Sequence, residues 1–179
     1  MVKASKKSIG LLGGSFDPAH IGHLEISKIA IKKIKLNKVL WLVTKKNPFK
    51  KKPFYSLQQR LYLAKKITKK VKKINIIHLD QVVRSTRSIN IINYLIKKKK
   101  IKNIYFIIGS DNLIKFHKWK SWKKIVKLTK LIVFSRKGYD KKGYNSIVAK
   151  YLKNKILFVK NKQIVISSTK LRKKVRVNY

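Results

Sequence analysis

Cysteine is absent from the 179 residues, and acidic residues nearly so: five Asp and Glu stand against 48 Lys and Arg. The first absence excludes disulfides and thiolate metal sites, and leaves the redox compartment unreadable. The second argues against hydrolysis by paired carboxylates, since Asp17, Glu25, Asp80, Asp111 and Asp140 form no close pair along the chain. His78 and His117 do not share a metal-ligand spacing either, so no metal site built from side chains is expected. Long apolar runs are missing: the longest, such as Ile104 to Ile108, have strand length and fall far short of the about 18 residues of a membrane span. The basic segment Met1 to Lys7 leads into a short apolar stretch ending at Gly13-Gly14. That pattern is a first strand entering a turn and not a signal peptide, so a cytoplasmic location without a membrane partner is expected. Internal repeats and Pro/Gly/Ser-rich linkers are lacking as well, so a single domain over residues 1–179 is the economical organisation.

What is present is an ordinary globular share of hydrophobic residues, 44%, under a formal charge of +43. Such a field attracts nucleic acid and anionic lipid without any specific site. The lysines, however, are scattered along the chain among many Ile and Asn, three residues with AT-rich codons, and drift in genome composition accounts for them. The competing reading from another class, a basic nucleic-acid-binding module, rests on charge alone. No aromatic-rich RNA platform motif, zinc motif or helix-turn-helix signature accompanies it. Weak, sequence-indifferent attraction is expected, and no specific nucleic-acid partner.

Short apolar runs alternate with amphipathic stretches. Strands are expected at Ser8–Leu12, Val39–Val43, Ile74–Leu79, Ile104–Ile108, Leu131–Phe134 and Ile156–Val159. Helices are expected at Ile21–Ile34, from an N-cap at Ser56 to Val71, at Ile89–Lys98 and at Trp119–Leu128. Ser167-Ser168 then caps a last helix carrying Leu171 and Val175. Alternation on about 30-residue units predicts an α/β fold: a Rossmann-like, doubly wound parallel sheet with helices on both faces. Ligands of such sheets bind beyond the carboxyl ends of the strands, near the point where strand order reverses. The loops after the first, second and fourth strands, and the start of the final helix, are expected on that edge.

Two strings there carry chemistry. Gly13-Gly14-Ser15-Phe16-Asp17-Pro18-Ala19-His20-Ile21-Gly22-His23 puts glycines after a strand, where backbone N–H groups approach a phosphate closely. Its two histidines, three apart at a helix start, share one face with the positive end of the helix. The string is neither GxGxxG nor GxxxxGK[ST], which argues against hydride-transfer and P-loop enzymes. Ile166-Ser167-Ser168-Thr169-Lys170-Leu171-Arg172 offers hydroxyls and an arginine on a first helical turn, again donors to an anion. Either serine alone reads as a helix cap. Together the strings suit the two ends of one polyphosphate.

The chain thereby resembles the nucleotidylyltransferase superfamily with (H/T)xGH and SSTxxR motifs, and within it the bacterial nicotinate-mononucleotide adenylyltransferases. The supporting segments are Gly13 to His23, Asn47-Pro48-Phe49-Lys50, Phe106 to Leu113, Phe116 to Trp122 and Ile166 to Arg172. Phosphopantetheine adenylyltransferases share the framework but usually carry Thr where this chain has His20. The resemblance implies transfer of AMP from ATP to nicotinate mononucleotide, with Mg²⁺ bound through the ATP phosphates. Nicotinamide mononucleotide and phosphopantetheine are the alternative acceptors, and the protein is a monomer or a homo-oligomer. It implies that Gly14, Ser15 and Phe16, with His20 and His23, hold the ATP phosphates. Ser168, Thr169 and Arg172 grip the departing β and γ phosphates, and His20, His23 and Arg172 form the catalytic set. Asp111 would hydrogen-bond the adenosine ribose, Trp119 would stack on the nicotinate ring, and Thr44, Asn47, Ser85, Thr86 and Ser88 would line the pyridine-nucleotide pocket. The run Ser85-Thr86-Arg87-Ser88-Ile89 departs from the TxxT-like pair followed by Leu that is usual in the family. Plainer roles stand beside these: Asp111 as a cap for the helix that follows, Trp119 and Trp122 as core residues of one helix, His78 and His117 as structural or surface groups.

Overall fold

The computed structural model describes residues 8–45, 52–161, 166–169, 171 and 172. Six strands form one sheet: β1 (Ser8–Gly14), β2 (Lys38–Val43), β3 (Ile74–Ile77), β4 (Asn103–Gly109), β5 (Lys130–Phe134) and β6 (Ile156–Val159). Every pairing is parallel, in the order β3-β2-β1-β4-β5-β6. The order reverses between β1 and β4, which makes the carboxyl end of those two strands the switch point where a ligand binds.

Both faces of the sheet are covered, which is why its strands read as continuous apolar runs. Alternate residues divide the core. Leu11, Leu42, Phe106 and Val133 join one cluster with Ile91 and Ile92 of α4 (Ser88–Lys97) and Ile125 of α6 (Trp122–Leu128). Leu12, Trp41, Ile107 and Phe134 join the other with Leu24 and Ala30 of α1 (Ile21–Ile34) and Ala64 of α2 (Leu57–Thr68). The expected doubly wound α/β architecture is the observed one.

Several boundaries differ, each for a local reason. Ser56 caps α2 as expected, its hydroxyl accepting from Gln59 N–H at 3.2 Å. The helix ends at Thr68 and not at Val71, because Val71 N–H closes a tight turn onto Thr68 O. β3 ends at Ile77; His78 leaves the ladder and turns its ring Nδ1 to Val43 O at 2.8 Å. The helix expected from Trp119 begins at Trp122, since Ser121 adopts a left-handed conformation (φ 58°) and Trp119 is extended. Four short helices were not foreseen: α3 (Asp80–Val83), α5 (Ser110–Lys115), α7 (Asp140–Tyr144) and α8 (Ile147–Leu152). Runs of four to six residues do not complete two turns and so show no helical period. Only α8 carried a readable signal, Ser146, whose hydroxyl accepts from Ala149 N–H at 3.2 Å.

One polar contact fixes α1 on the sheet. Ser27 Oγ donates to His23 O at 2.8 Å and accepts from the indole N–H of Trp41 at 2.8 Å, with both side chains fully buried. Substituting Ser27→Ala leaves that N–H unsatisfied, a cost of about 1–3 kcal/mol. Urea denaturation is expected to register it as a lower midpoint at unchanged slope.

Candidate active site

A cleft of about 940 Å³ lies at the carboxyl edge of the sheet. Its walls come from the loops after β1, β4 and β5, from Lys52 to Phe54 ahead of α2, and from Ser167, Ser168, Thr169 and Arg172. Three of the four features expected on that edge are thus on its wall. Among the described residues of the second-strand loop, Lys52, Pro53 and Phe54, ahead of α2, line it.

The two histidines meet at the start of α1. His20 is the N-cap residue, and its Nδ1 accepts from Gly22 N–H at 3.2 Å. His23 sits at the third helical position, and its Nδ1 accepts from His20 N–H at 3.2 Å. The imidazoles thereby replace the usual Ser and Glu of a capping box. With Nδ1 accepting, the proton of each neutral ring resides on Nε2, so each ring is a donor there. The ring centroids are 3.9 Å apart, and both rings line the cleft. Gly22 makes this possible: a Cβ at that position would lie 2.9 Å from His20 Nδ1.

The carboxyl-terminal motif docks directly onto the loop that carries the first. Ser168 Oγ donates to Pro18 O at 2.9 Å, so its hydroxyl anchors the motif to that loop instead of capping a helix. Arg172 Nη1 donates to Asp17 O at 2.5 Å and lies 3.4 Å from Asp17 Oδ2. Its Nη2 donates to Thr169 Oγ1 at 3.1 Å. The backbone at residues 168, 169, 171 and 172 is helical, as expected, with Leu171 N–H bonded to Ser167 O. Val175 lies outside the described residues.

Asp111 stands at the start of α5, its Oδ1 3.8 Å from Arg136 Nε and accepting no hydrogen bond. The capping role weighed for it is not what its side chain does: α5 has no side-chain cap. Trp119 is half-buried and serves two surfaces. It packs on Phe116 at 5.0 Å and on Phe106 at 6.1 Å, and it also lines the cleft. Trp122 packs against Tyr151 at 5.1 Å.

Of the residues expected to line the pyridine-nucleotide pocket, Trp119 is on this wall, and the described residues Thr44, Ser85, Thr86 and Ser88 are not. Thr44 lies beside the first motif, its N–H and hydroxyl both bonded to Gly14 O, behind the described cleft wall. Ser85 Oγ accepts from Arg87 N–H and Asn90 Nδ2, which shapes the entry to α4. Thr86 is exposed and Ser88 opens α4, and neither is on that wall. Asn47 lies outside the described residues.

Four residues that the sequence reading left without a site role organise the cleft. Asp17, 5% exposed, accepts from Phe54 N–H and Tyr55 N–H, each at 2.9 Å. Asp80 Oδ2 accepts from Lys45 N–H at 2.6 Å. Arg60, 2% exposed, donates to the carbonyls of Ser15, Thr44, Lys45 and Tyr55. Burial pushes its guanidinium below the ordinary arginine range, and the charges of Asp17 and Asp80 partly oppose that shift. Arg136 holds its place on the cleft wall through its backbone N–H, shared between Ser110 Oγ and Asp140 Oδ1, each at 3.0 Å. In a chain that uses lysine for nearly all its 48 basic residues, Arg60 and Arg172 are places where the guanidinium fork bonds several acceptors at once.

Among the described residues, no three His, Asp or Glu side chains gather as a metal-binding group. No described helix is long and apolar enough to cross a membrane.

A Rossmann-like nucleotide-binding protein, with anion donors converging on the switch point, is the class that this fold and cleft define. Residues 11–174 match the family described as cytidylyltransferase-like. A protein of Pelagibacter ubique (strain HTCC1062), named probable nicotinate-nucleotide adenylyltransferase, is 48% identical over 169 residues, spanning 94% of this chain and 93% of that protein. One of the same name from Aquifex aeolicus (strain VF5) is 34% identical, spanning 89% of this chain and 98% of that protein. The chain belongs to the cytidylyltransferase-like family, among its nicotinate-nucleotide adenylyltransferases. The same fold occurs in the nicotinic acid mononucleotide adenylyltransferase of Plasmodium falciparum complexed with NaAD. Its TM-score is 0.77 at 18% identity, over 93% of this chain and 83% of that one.

Asp140 offers a pH test of how the loop after β5 is tied to α5. Burial raises its carboxyl pKa, but hydrogen bonds from Ser110 Oγ, at 2.7 Å, from Arg136 N–H and from Ser135 outweigh this, and the net shift is downward. A depressed folded value means the carboxylate stabilises the fold above the ordinary Asp pKa of about 3.9, and that this is lost as pH falls through the folded value. Wild type is therefore expected to exceed Asp140→Asn in urea midpoint near neutrality, the gap closing in acid. A gap unchanged down to about pH 2 would remove the charge from the contact.

Proposed function

We propose that this chain transfers the AMP of Mg-ATP to the phosphate of nicotinate mononucleotide in the cytoplasm, forming nicotinate adenine dinucleotide and pyrophosphate. The observation that carries the reading is the pair of imidazoles, both Nδ1 atoms tied to the α1 terminus, facing a cleft that Thr169 and Arg172 also line. Both substrates are polyanions, and the groups assembled there are donors.

A phosphate oxygen of nicotinate mononucleotide attacks the α-phosphorus of ATP in line. The new P–O bond forms as the α–β bridging bond breaks, and its electrons leave with pyrophosphate. No side chain becomes covalently attached. The Nε2–H groups of His20 and His23, with backbone N–H groups of Gly14 to Phe16, neutralise charge on the α-phosphate oxygens. Thr169 and Arg172 hold the β and γ phosphates, with Ser168 anchoring their helical turn to Pro18. Asp111 takes the ribose hydroxyls through Oδ1, which accepts no hydrogen bond within the protein, and Trp119 offers a ring face to the pyridine. Magnesium enters as part of Mg-ATP, its ligands the phosphate oxygens and water, which suits a hard cation in a site of few carboxylates. Asp17 is no candidate ligand or base, because backbone N–H groups and Arg172 already occupy its oxygens. Nicotinamide mononucleotide and phosphopantetheine remain acceptors to compare.

Pyrophosphate release from Mg-ATP is expected with nicotinate mononucleotide and not with nicotinamide mononucleotide or phosphopantetheine. Release with another acceptor alone would move the substrate, and none with any, from folded protein, would end the adenylyl-transfer reading. His23→Ala is expected to lower kcat on the order of a hundredfold with the fold intact by circular dichroism. Near-full turnover would take His23 out of the mechanism.

A further inference from the structure

We infer that Arg60 is a positioning residue that aims the Ser15–Phe16 peptide of the phosphate-binding loop into the cleft; the inference rests on the adenylyl-transfer reading above. Arg60 lies in the first turns of α2, buried beneath the loop. Its Nη1 donates to Ser15 O at 2.6 Å and to Thr44 O at 2.8 Å, its Nη2 to Lys45 O at 3.3 Å and its Nε to Tyr55 O at 3.2 Å. One planar group thus joins the β1–α1 loop, the end of β2 and the entry to α2.

In a trans peptide the C=O and the N–H point to opposite sides. The Thr44–Lys45 peptide displays this: its C=O meets Arg60, and its N–H meets Asp80 Oδ2 on the other side at 2.6 Å. The same geometry at Ser15–Phe16 draws the C=O down to Arg60 and turns Phe16 N–H away from it, toward the cleft that Ser15 and Phe16 line. That orientation has a cost, since Phe16 adopts φ 47°, in the left-handed region that a bulky L residue avoids. Two forces hold it: the Arg60 bond to Ser15 O, and the Phe16 ring, stacked on Trp41 at 4.9 Å and beside His23 at 4.9 Å. Without the guanidinium, a peptide flip would return Phe16 to ordinary backbone space and take its N–H off the phosphate. Lysine keeps the charge that Asp17 and Asp80 face, but a single ammonium on a flexible stem cannot reach four carbonyls in one plane.

The test uses the full chain with Arg60→Lys, and the α,β-methylene analogue of ATP with Mg²⁺ as the probe. Calorimetry is expected to show binding about tenfold or more weaker in Arg60→Lys, and kinetics a KM for Mg-ATP raised to match. The KM for nicotinate mononucleotide is expected to change less than about threefold. A merely structural role would lower kcat in proportion to the folded fraction and leave analogue affinity per folded molecule within about twofold of wild type, which overturns the proposal. Should the lysine variant fail to fold, nitrogen-15 spectra of the wild-type protein decide. The Phe16 amide proton is expected to move downfield on titration with the Mg-analogue, and an unmoved Phe16 amide beside shifting neighbours overturns the proposal. Turnover with nicotinate mononucleotide is scored separately: analogue binding by wild type that weakens in Arg60→Lys, with no turnover in either, would support the role of Arg60 while ending the adenylyl-transfer reading.

Discussion

The cleft depends on a single buried carboxylate. Asp17 accepts the N–H groups of Phe54 and Tyr55 and faces Arg172, so two stretches of chain, tens of residues or more away from it in sequence, converge on its two oxygens. Loop N–H groups taken out of water need acceptors, and a buried charge needs donors. Each requirement meets the other here, and neither could be met within one stretch of the chain. The first motif, the entry to α2 and the carboxyl-terminal motif are thereby held in one wall. The histidines are fixed more locally, by the helix that they cap.

The scarcity of acids gains a structural meaning from this arrangement. Four of the five lie at the carboxyl edge of the sheet: Asp17, Asp80 and Asp140 accept backbone N–H groups of loops there, and Asp111 lines the cleft. Glu25 only forms an exposed pair with Lys28, a contact worth little in water. Asp17, Asp80 and Asp140 shape the loops, and apart from Asp111 it is basic groups, hydroxyls and N–H donors that face the cleft. That division suits two polyanionic substrates brought together against their own repulsion, and the overall positive field favours their arrival.

Much of the fold was legible because parallel strands covered on both faces must be apolar along their length, and each such run was found. The long helices α1, α2 and α4 showed a helical period; α3, α5, α7 and α8 were too short to show one. The wall of the cleft built by the two motifs was legible because its groups are close in sequence: His20 and His23 stand three apart, and Ser168, Thr169 and Arg172 span one turn. Trp119 was recognised as a cleft residue but set in the wrong element, since nothing around Ser121 announces its left-handed backbone. Arg60 was passed over because a basic residue on a lysine-rich helix looks solvated. Its burial follows only from the carbonyls of three other segments.

The strands, the long helices, their alternation and the two motif strings follow from the chain by itself, because each rests on a pattern among residues a few positions apart. Tertiary structure alone decided that the two strings touch, through Ser168 on Pro18 and Arg172 on Asp17, across about 150 residues. It alone made Arg60 and Asp17 the supports of the cleft, and it drew Thr44 and Ser85 away from its described wall. The reason is that a buried polar group is settled by whichever donors and acceptors the packed sheet brings to it, and sequence neighbours carry no record of that.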